Sequence, residues 1–132
     1  MTEEHIVEAI RRHLDREGKL SCAAAFRVVE ELGVEPLEVG RAADDIGVRL
    51  SRCQLGLFGY GPKAEGRHKV VKPAEVVEPG VAQAIRDGLR DGGLSCEAAW
   101  EIAGVLRVSR MDVAAAAEAL GVKIVRCQLG AF

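Results

Sequence analysis

The chain has 132 residues, which is enough for one ordinary domain or for two very small ones. Its formal net charge of −2 excludes a general electrostatic attraction to nucleic acid or to anionic lipid. No apolar run is long enough to span a membrane, and residues 1–4 lack the basic start of a signal peptide, so we expect a cytoplasmic protein with no membrane partner.

The first predicted element is a helix over residues 3–17, because Ile6, Ile10 and Leu14 recur every four residues and form one apolar stripe. Ser21 is a good N-cap for a second helix, since its hydroxyl oxygen can accept a hydrogen bond from an unpaired backbone amide. The residues that the second helix is expected to bury are Ala25, Phe26, Val29 and Leu32.

A turn at Gly33 and Val34 separates this helix from a third one, which Pro36 opens at a position that proline tolerates. Gly47 ends the third helix, and a short strand with alternating polarity follows at 48–50. The predicted inner face of the third helix consists of Val39, Ala42, Ala43 and Ile46.

Much of this pattern occurs twice. Residues 20–58 align without a gap with residues 94–132 at a constant offset of 74, and 18 of the 39 aligned positions are identical. The flanking helix recurs at 80–91 with one residue fewer. Such similarity indicates a duplication. We therefore predict a first copy over 1–59, a linker or arm over 60–79 and a second copy over 80–132.

Each copy supplies one short strand, at 48–50 and at 122–124. Because an isolated strand has no partner for its backbone groups, we predict that these two strands pair with each other. That pairing would relate the copies by a pseudo-twofold axis. The predicted fold class is mainly α with a small β element.

The residues around each turn have the pattern that packs two helices against each other. The first copy reads Val29, Gly33, Val34, Val39 and Ala42. The second copy reads Ala103, Arg107, Val108, Val113 and Ala116. Each copy therefore resembles the helix-turn-helix superfamily of DNA-binding domains, in a winged-helix-like form. The resemblance implies DNA-binding transcription regulation, with the helix after the turn in the major groove.

The charges of that helix in the first copy oppose DNA reading. A single Arg41 stands against Glu35, Glu38, Asp44 and Asp45, whereas phosphate contacts dominate DNA affinity. The linker offers another route, because a basic, glycine-containing arm can lie along a minor groove. The nucleic-acid-binding candidates of this arm are Lys63, Arg67, Lys69 and Lys72. The alternative interpretation of the arm is a solvated linker.

The four cysteines occupy equivalent positions in the two copies. Cys22 and Cys96 follow a helix N-cap, where amide donors stabilise a thiolate, and Cys53 and Cys127 follow a strand. One hypothesis is a thiolate metal or redox site formed by these residues. The alternative is buried structural thiols, because no C-x-x-C unit is present and no histidine recurs. We expect no cofactor.

Two further pairs of polar residues recur without an obvious packing role. Arg52 and Gln54 return as Arg126 and Gln128. We predict that they form a surface that binds an anion or a partner. The alternative is that arginine caps a helix while glutamine bonds a loop backbone.

Enzymatic activity is not expected, because the chain has no nucleophile-and-base constellation and no phosphate loop. The sequence predicts a non-enzymatic regulatory module, and the resemblance implies that it binds DNA. The alternative functions are a protein–protein adaptor that uses the acidic and alanine-rich helices, and a cysteine-based metal or redox sensor. DNA, a protein partner and a second chain in a homodimer are the partners that the sequence leaves open.

Overall fold

A computed structural model describes residues 3–61 and 63–132, and the side chain of Lys63 lies outside the described part. The described chain is mainly α-helical, with two small parallel strand pairs. It divides into two compact units, the first consisting of Met1–Lys69 with Gln128–Ala131 and the second of Val70–Cys127 with Phe132. No helix within the described ranges has the length and hydropathy that a transmembrane span requires.

The first copy contains three helices and two short strands. They are α1 (Glu3–Arg12), β1 (Leu20–Ser21), α2 (Cys22–Leu32), α3 (Pro36–Asp45) and β2 (Leu50–Ser51). Helix α1 ends before the predicted 17 because Asp15 makes a local turn. The Asp15 carboxylate accepts hydrogen bonds from the backbone amides of Glu17 and Lys19, each at 2.9 Å. These bonds replace the helical ones.

The second copy has the same order of elements. They are α4 (Pro79–Gly88), β3 (Gly93–Ser95), α5 (Cys96–Leu106), α6 (Arg110–Ala119) and β4 (Lys123–Val125). The linker contains one 3₁₀ turn over Lys63–Glu65. Helix α4 ends at Gly88, three residues before the predicted 91.

The predicted serine caps are confirmed. The Ser21 hydroxyl accepts a hydrogen bond from the amide of Ala24 at 3.1 Å, and the Ser95 hydroxyl accepts one from Ala98 at 3.0 Å. The turn after each of these helices is left-handed, with φ of 64° at Gly33 and 56° at Arg107. The second copy thus forms the same turn without glycine, at a cost in backbone strain.

The prediction that the strands of the two copies pair with each other is wrong. β1 pairs with β2 in parallel, with Leu20 opposite Leu50, and β3 pairs with β4 in the same way, with Leu94 opposite Ile124. In each copy the partner is the segment of two or three residues directly before the second helix. Those segments are too short to show strand alternation in the sequence. The strands therefore give no support to the pseudo-twofold axis.

The core of each copy is built largely from small residues. Of the residues predicted to face inward on α2, Ala25 is buried, whereas Phe26, Val29 and Leu32 are partly exposed. The residues that α2 does bury are Cys22, Ala24, Ala25 and Val28. On α3, Val39, Ala42 and Ala43 are buried as predicted, and Ile46 is only partly buried.

Chain from outside the three helices packs beside the third helix of each copy. The turn that contains Leu129 lies against α3, because a Cβ on Gly40 would overlap the backbone carbonyl of Leu129. The linker covers α6, where the amide of Ala74 donates to the carbonyl of Ala115 at 3.0 Å. Each helix therefore buries four residues: Val39, Gly40, Ala42 and Ala43 on α3, and Val113, Ala114, Ala116 and Ala117 on α6.

The contact at Gly40 predicts opposite effects for two glycine substitutions. Gly104→Ala, in the exposed interior of α5, should stabilise the protein by about 1 kcal/mol because nothing lies within reach of the new methyl group. Gly40→Ala should destabilise it by about 1–3 kcal/mol, since the methyl group must displace Leu129. Urea unfolding measures both free energies. Equal stabilisation by the two substitutions would refute the close packing on α3.

Candidate functional site

The described basic residues of the linker are divided between the two compact units. Arg67 is ion-paired with Glu65 at 2.8 Å, and Lys69 is exposed in the same unit. Lys72 is exposed in the second unit, and the Lys63 side chain lies outside the described residues. This ion pair is exposed, so it offsets the charge of Arg67 only in part. DNA binding by this arm therefore stays a prediction.

The cysteines lie mainly in the interior. Cys22, Cys53 and Cys96 are buried, Cys127 is partly buried, and none of the four is in a disulfide bond. Within residues 3–61 and 63–132, no three side chains of His, Cys, Asp or Glu are grouped so that they could hold a metal ion. Such burial is typical of thiols that act as small apolar groups.

The four recurring polar residues occupy different surroundings. The Gln54 amide donates to the Cys22 sulfur at 3.5 Å, so it points into the first unit. Gln128 belongs to the chain segment that completes the first unit, whereas Arg126 belongs to the second. Arg52 and Arg126 are both exposed and both left-handed, with φ of 46° and 52°. Of these residues, Arg52 lines a cleft of about 870 Å³ in the first unit.

Backbone hydrogen bonds hold the walls of this cleft together. Pairing of β1 with β2 brings 49–52 beside the turn at 15–19, and the Leu20 amide donates to the Arg49 carbonyl at 2.9 Å. The Arg52 amide donates to the Gly59 carbonyl at 3.2 Å. The Tyr60 amide in turn donates to the His68 carbonyl at 3.3 Å. The lining residues thus come from segments 15–19, 49–52 and 58–61 and from His68.

The cleft has an excess of positive charge, although the chain as a whole is negative. Its cationic lining residues are Arg16, Lys19, Arg49 and Arg52, and its acidic ones are Asp15 and Glu17. Both carboxylates have partners within the cleft wall. Asp15 accepts hydrogen bonds from backbone amides, and Glu17 forms an ion pair with Lys19 at 3.1 Å. Among the described residues, the three arginines form no ion pair. Their guanidinium groups are therefore available to a ligand.

Two polar atoms in the cleft wall are buried and have no hydrogen-bond partner among the described residues. They are the hydroxyl oxygen of Ser51, whose residue is 3% exposed, and Nδ1 of His68. An unsatisfied buried polar group costs about 1–3 kcal/mol, so such groups are rare without a function. The second copy has Val125 at the position of Ser51. The strand pair therefore forms without a hydroxyl at this position.

Aromatic residues form another part of the lining. Phe58 and Tyr60 are both partly buried, and the Tyr60 hydroxyl donates to the carbonyl of Cys53 at 2.5 Å. Burial raises the pKa of the Tyr60 phenol, and the neighbouring Cys53 thiol raises it further. The phenol thus remains a neutral hydrogen-bond donor that fixes this wall.

No family model, curated protein or solved structure matches the chain. Apart from Arg52, the sequence did not identify the residues of the cleft as a site, because only the strand pair makes them neighbours. One signal was present in the sequence. The aligned segments around Ser51 and Val125 are similar, but these two residues differ in polarity. The first copy therefore has a polar group at a position where packing does not require one.

The raised pKa of Tyr60 predicts a pH dependence that absorbance can measure, because the chain contains a single tyrosine. The phenolate should appear at a higher pH in the folded protein than in the urea-unfolded chain, whose pKa is near the ordinary 10.0. The stability from this group is then present below the unfolded pKa and lost as pH rises through the folded pKa. A folded midpoint at or below the unfolded one would contradict the burial of the phenol.

Proposed function

We propose that this protein is a non-enzymatic regulatory module whose first unit binds an anionic small molecule. One observation carries the proposal. In a single cleft, Arg16, Arg49 and Arg52 lack acidic partners and lie together with the buried, unpartnered hydroxyl of Ser51.

The chemistry of these groups selects the class of ligand. A guanidinium group is a rigid, always charged donor that matches phosphate or carboxylate oxygens with two hydrogen bonds. Three such groups favour a ligand with several negative charges. The Ser51 hydroxyl adds a neutral donor, and the aromatic wall adds an apolar surface. The volume lies within the range of small-molecule sites, which is roughly 300–1,000 Å³. Phosphate esters and polycarboxylates share this chemistry.

Binding without a reaction is supported by the same geometry. A serine nucleophile needs a neighbouring base, and a hydrogen bond normally links the two. Ser51 and His68 both line the cleft, yet neither the Ser51 hydroxyl nor His68 Nδ1 has a hydrogen-bond partner among the described residues. The hydrogen bond that would link a serine nucleophile to its base is thus not formed between these two described residues. Four thiols outside disulfides are consistent with the reducing cytoplasm, where we place the protein.

We assign no groove-reading role to α3 and α6. A recognition helix must bring positive charge to the phosphates, whereas the exposed side of α3 carries Glu38, Asp44 and Asp45 beside Arg41. On α6, the linker bonds to the carbonyl of Ala115. DNA binding by the arm is a separate hypothesis. Mixed-sequence duplex DNA, titrated at low and physiological salt, tests it. Salt-dependent binding that is lost in a variant of Lys63, Arg67, Lys69 and Lys72 would support the arm.

Arg52→Glu tests the anion site. Calorimetric titration of the full chain with pyrophosphate and with citrate should give saturable binding to at least one of them, and Arg52→Glu should weaken it at least about tenfold because a charge-assisted hydrogen bond is lost. Arg27→Glu is the matched control, because Arg27 is exposed on α2 outside the cleft. Absence of binding at low salt, or equal losses in both variants, would refute the site.

Ser51→Ala separates a ligand-binding hydroxyl from a structural one. Without added anion, this substitution should raise the free energy of unfolding by about 1 kcal/mol, since it removes an unsatisfied buried group. It should also weaken anion binding. Ser21→Ala should instead lower stability by about 1 kcal/mol, because Ser21 caps α2. If Ser51→Ala destabilises the protein as Ser21→Ala does and binds anion normally, the hydroxyl has no role in the site.

A further inference from the structure

The second unit has a groove of about 490 Å³ between α4 and α5. Its apolar lining includes Ala98, Ile102, Val105 and Leu106, which follow one side of α5. Val105 is 73% exposed and Leu106 is 38% exposed. With Ala98 and Ile102 they form a continuous apolar lining along α5, and a contiguous patch of this kind is typical of an interaction surface.

The first copy has an ionic bridge at the equivalent place. Glu31 on α2 forms an ion pair with Arg12 at 2.6 Å and a hydrogen bond with the His13 ring at 3.1 Å, and these contacts link α2 to the end of α1. In the second copy the residue aligned with Glu31 is Val105, and the aligned partners are Asp87 and Gly88. The bridge is therefore replaced by an open apolar groove.

The edge of the groove has also become acidic. Glu97 and Glu101 lie one turn apart on α5, where the first copy has Ala23 and Arg27. Among the described residues, neither glutamate forms an ion pair. Asp87 adds a carboxylate to the lining. The guanidinium of Arg90, the one cation in the lining, donates to the carbonyl oxygens of Asp87 and Leu89.

We propose that this groove binds a basic amphipathic helix of a protein partner. A groove between two helices accepts a third helix through apolar anchors at i, i+3, i+4 and i+7. The unpaired carboxylates of Glu97 and Glu101 would face lysine or arginine side chains beside those anchors, which favours a basic partner over an acidic one. This surface makes the protein an adaptor, and the inference does not depend on the anion site.

A synthetic helical peptide with leucine at i, i+3, i+4 and i+7 and lysine at its flanks is the probe. Titrated into the full chain without added anion, it should shift the amide resonances of Ala98, Ile102 and Val105. Val105→Glu and Glu101→Lys should each weaken its binding at least about tenfold. The matched controls are Val76→Glu and Glu75→Lys, which alter exposed residues of the second unit away from the groove and should leave binding unchanged.

A peptide of the same composition with scrambled leucines distinguishes a groove from general attraction of a polycation. Equal binding of the two peptides, resonance shifts outside the groove, or normal binding by Val105→Glu would overturn the proposal.

Sedimentation tests whether a second copy of the chain occupies the groove instead. A dimer of the unmodified chain that Val105→Glu dissociates would assign the groove to a second copy of the chain instead of a partner. Urea unfolding of each variant confirms that the comparison is made between folded proteins.

Discussion

In each copy, a parallel ladder of two or three residues joins the segment before the second helix to the segment after the third. The extended backbone at Leu20 and Ser21 would otherwise leave amides and carbonyls without partners, and pairing with Leu50 and Ser51 satisfies them. The same ladder closes three helices into one unit. It also holds Ser21 where its hydroxyl caps α2. The ladder places residues 49–52 beside the turn at 15–19, and both segments line the cationic cleft. The cleft is therefore a direct consequence of strand pairing.

The covering of the third helices depends on small side chains. The turn that contains Leu129 can approach α3 at Gly40 because glycine has no Cβ, and the aligned residue of α6 is alanine, the next smallest. The chain has few aromatic residues and many alanines, which suits such close contacts. A helix-turn-helix pattern records only how two helices pack around a turn. It records neither the charge that the third helix of each copy exposes nor the chain that packs beside that helix, and so the pattern alone overstates the case for DNA reading.

Sequence reasoning succeeded for several interactions between near neighbours, although it misplaced the buried face of α2. Helix periodicity, the serine caps and the inward positions Val39, Ala42 and Ala43 all follow from neighbours within a few residues. It failed for the strand partners, because β1 and β2 are two residues long and lie 29 residues apart, too short and too distant for a pattern. It also placed the end of α1 too late, since Asp15 competes for the backbone amides. The cleft depends on the long-range strand pairing, and among its lining residues the sequence predicted only Arg52 as part of a site.

The two copies share a scaffold but differ at surface and cleft positions. Three of these differences leave the element order unchanged: Ser51 is replaced by Val125, Glu31 by Val105 and Arg27 by Glu101. The scaffold therefore does not require either residue at these positions, and selection for packing does not explain the difference. In the first unit the exchanges accompany a cleft with excess positive charge, and in the second a groove with an acidic edge. A net charge of −2 averages these opposite local fields, so the charge of the whole chain is a poor guide to what either unit binds.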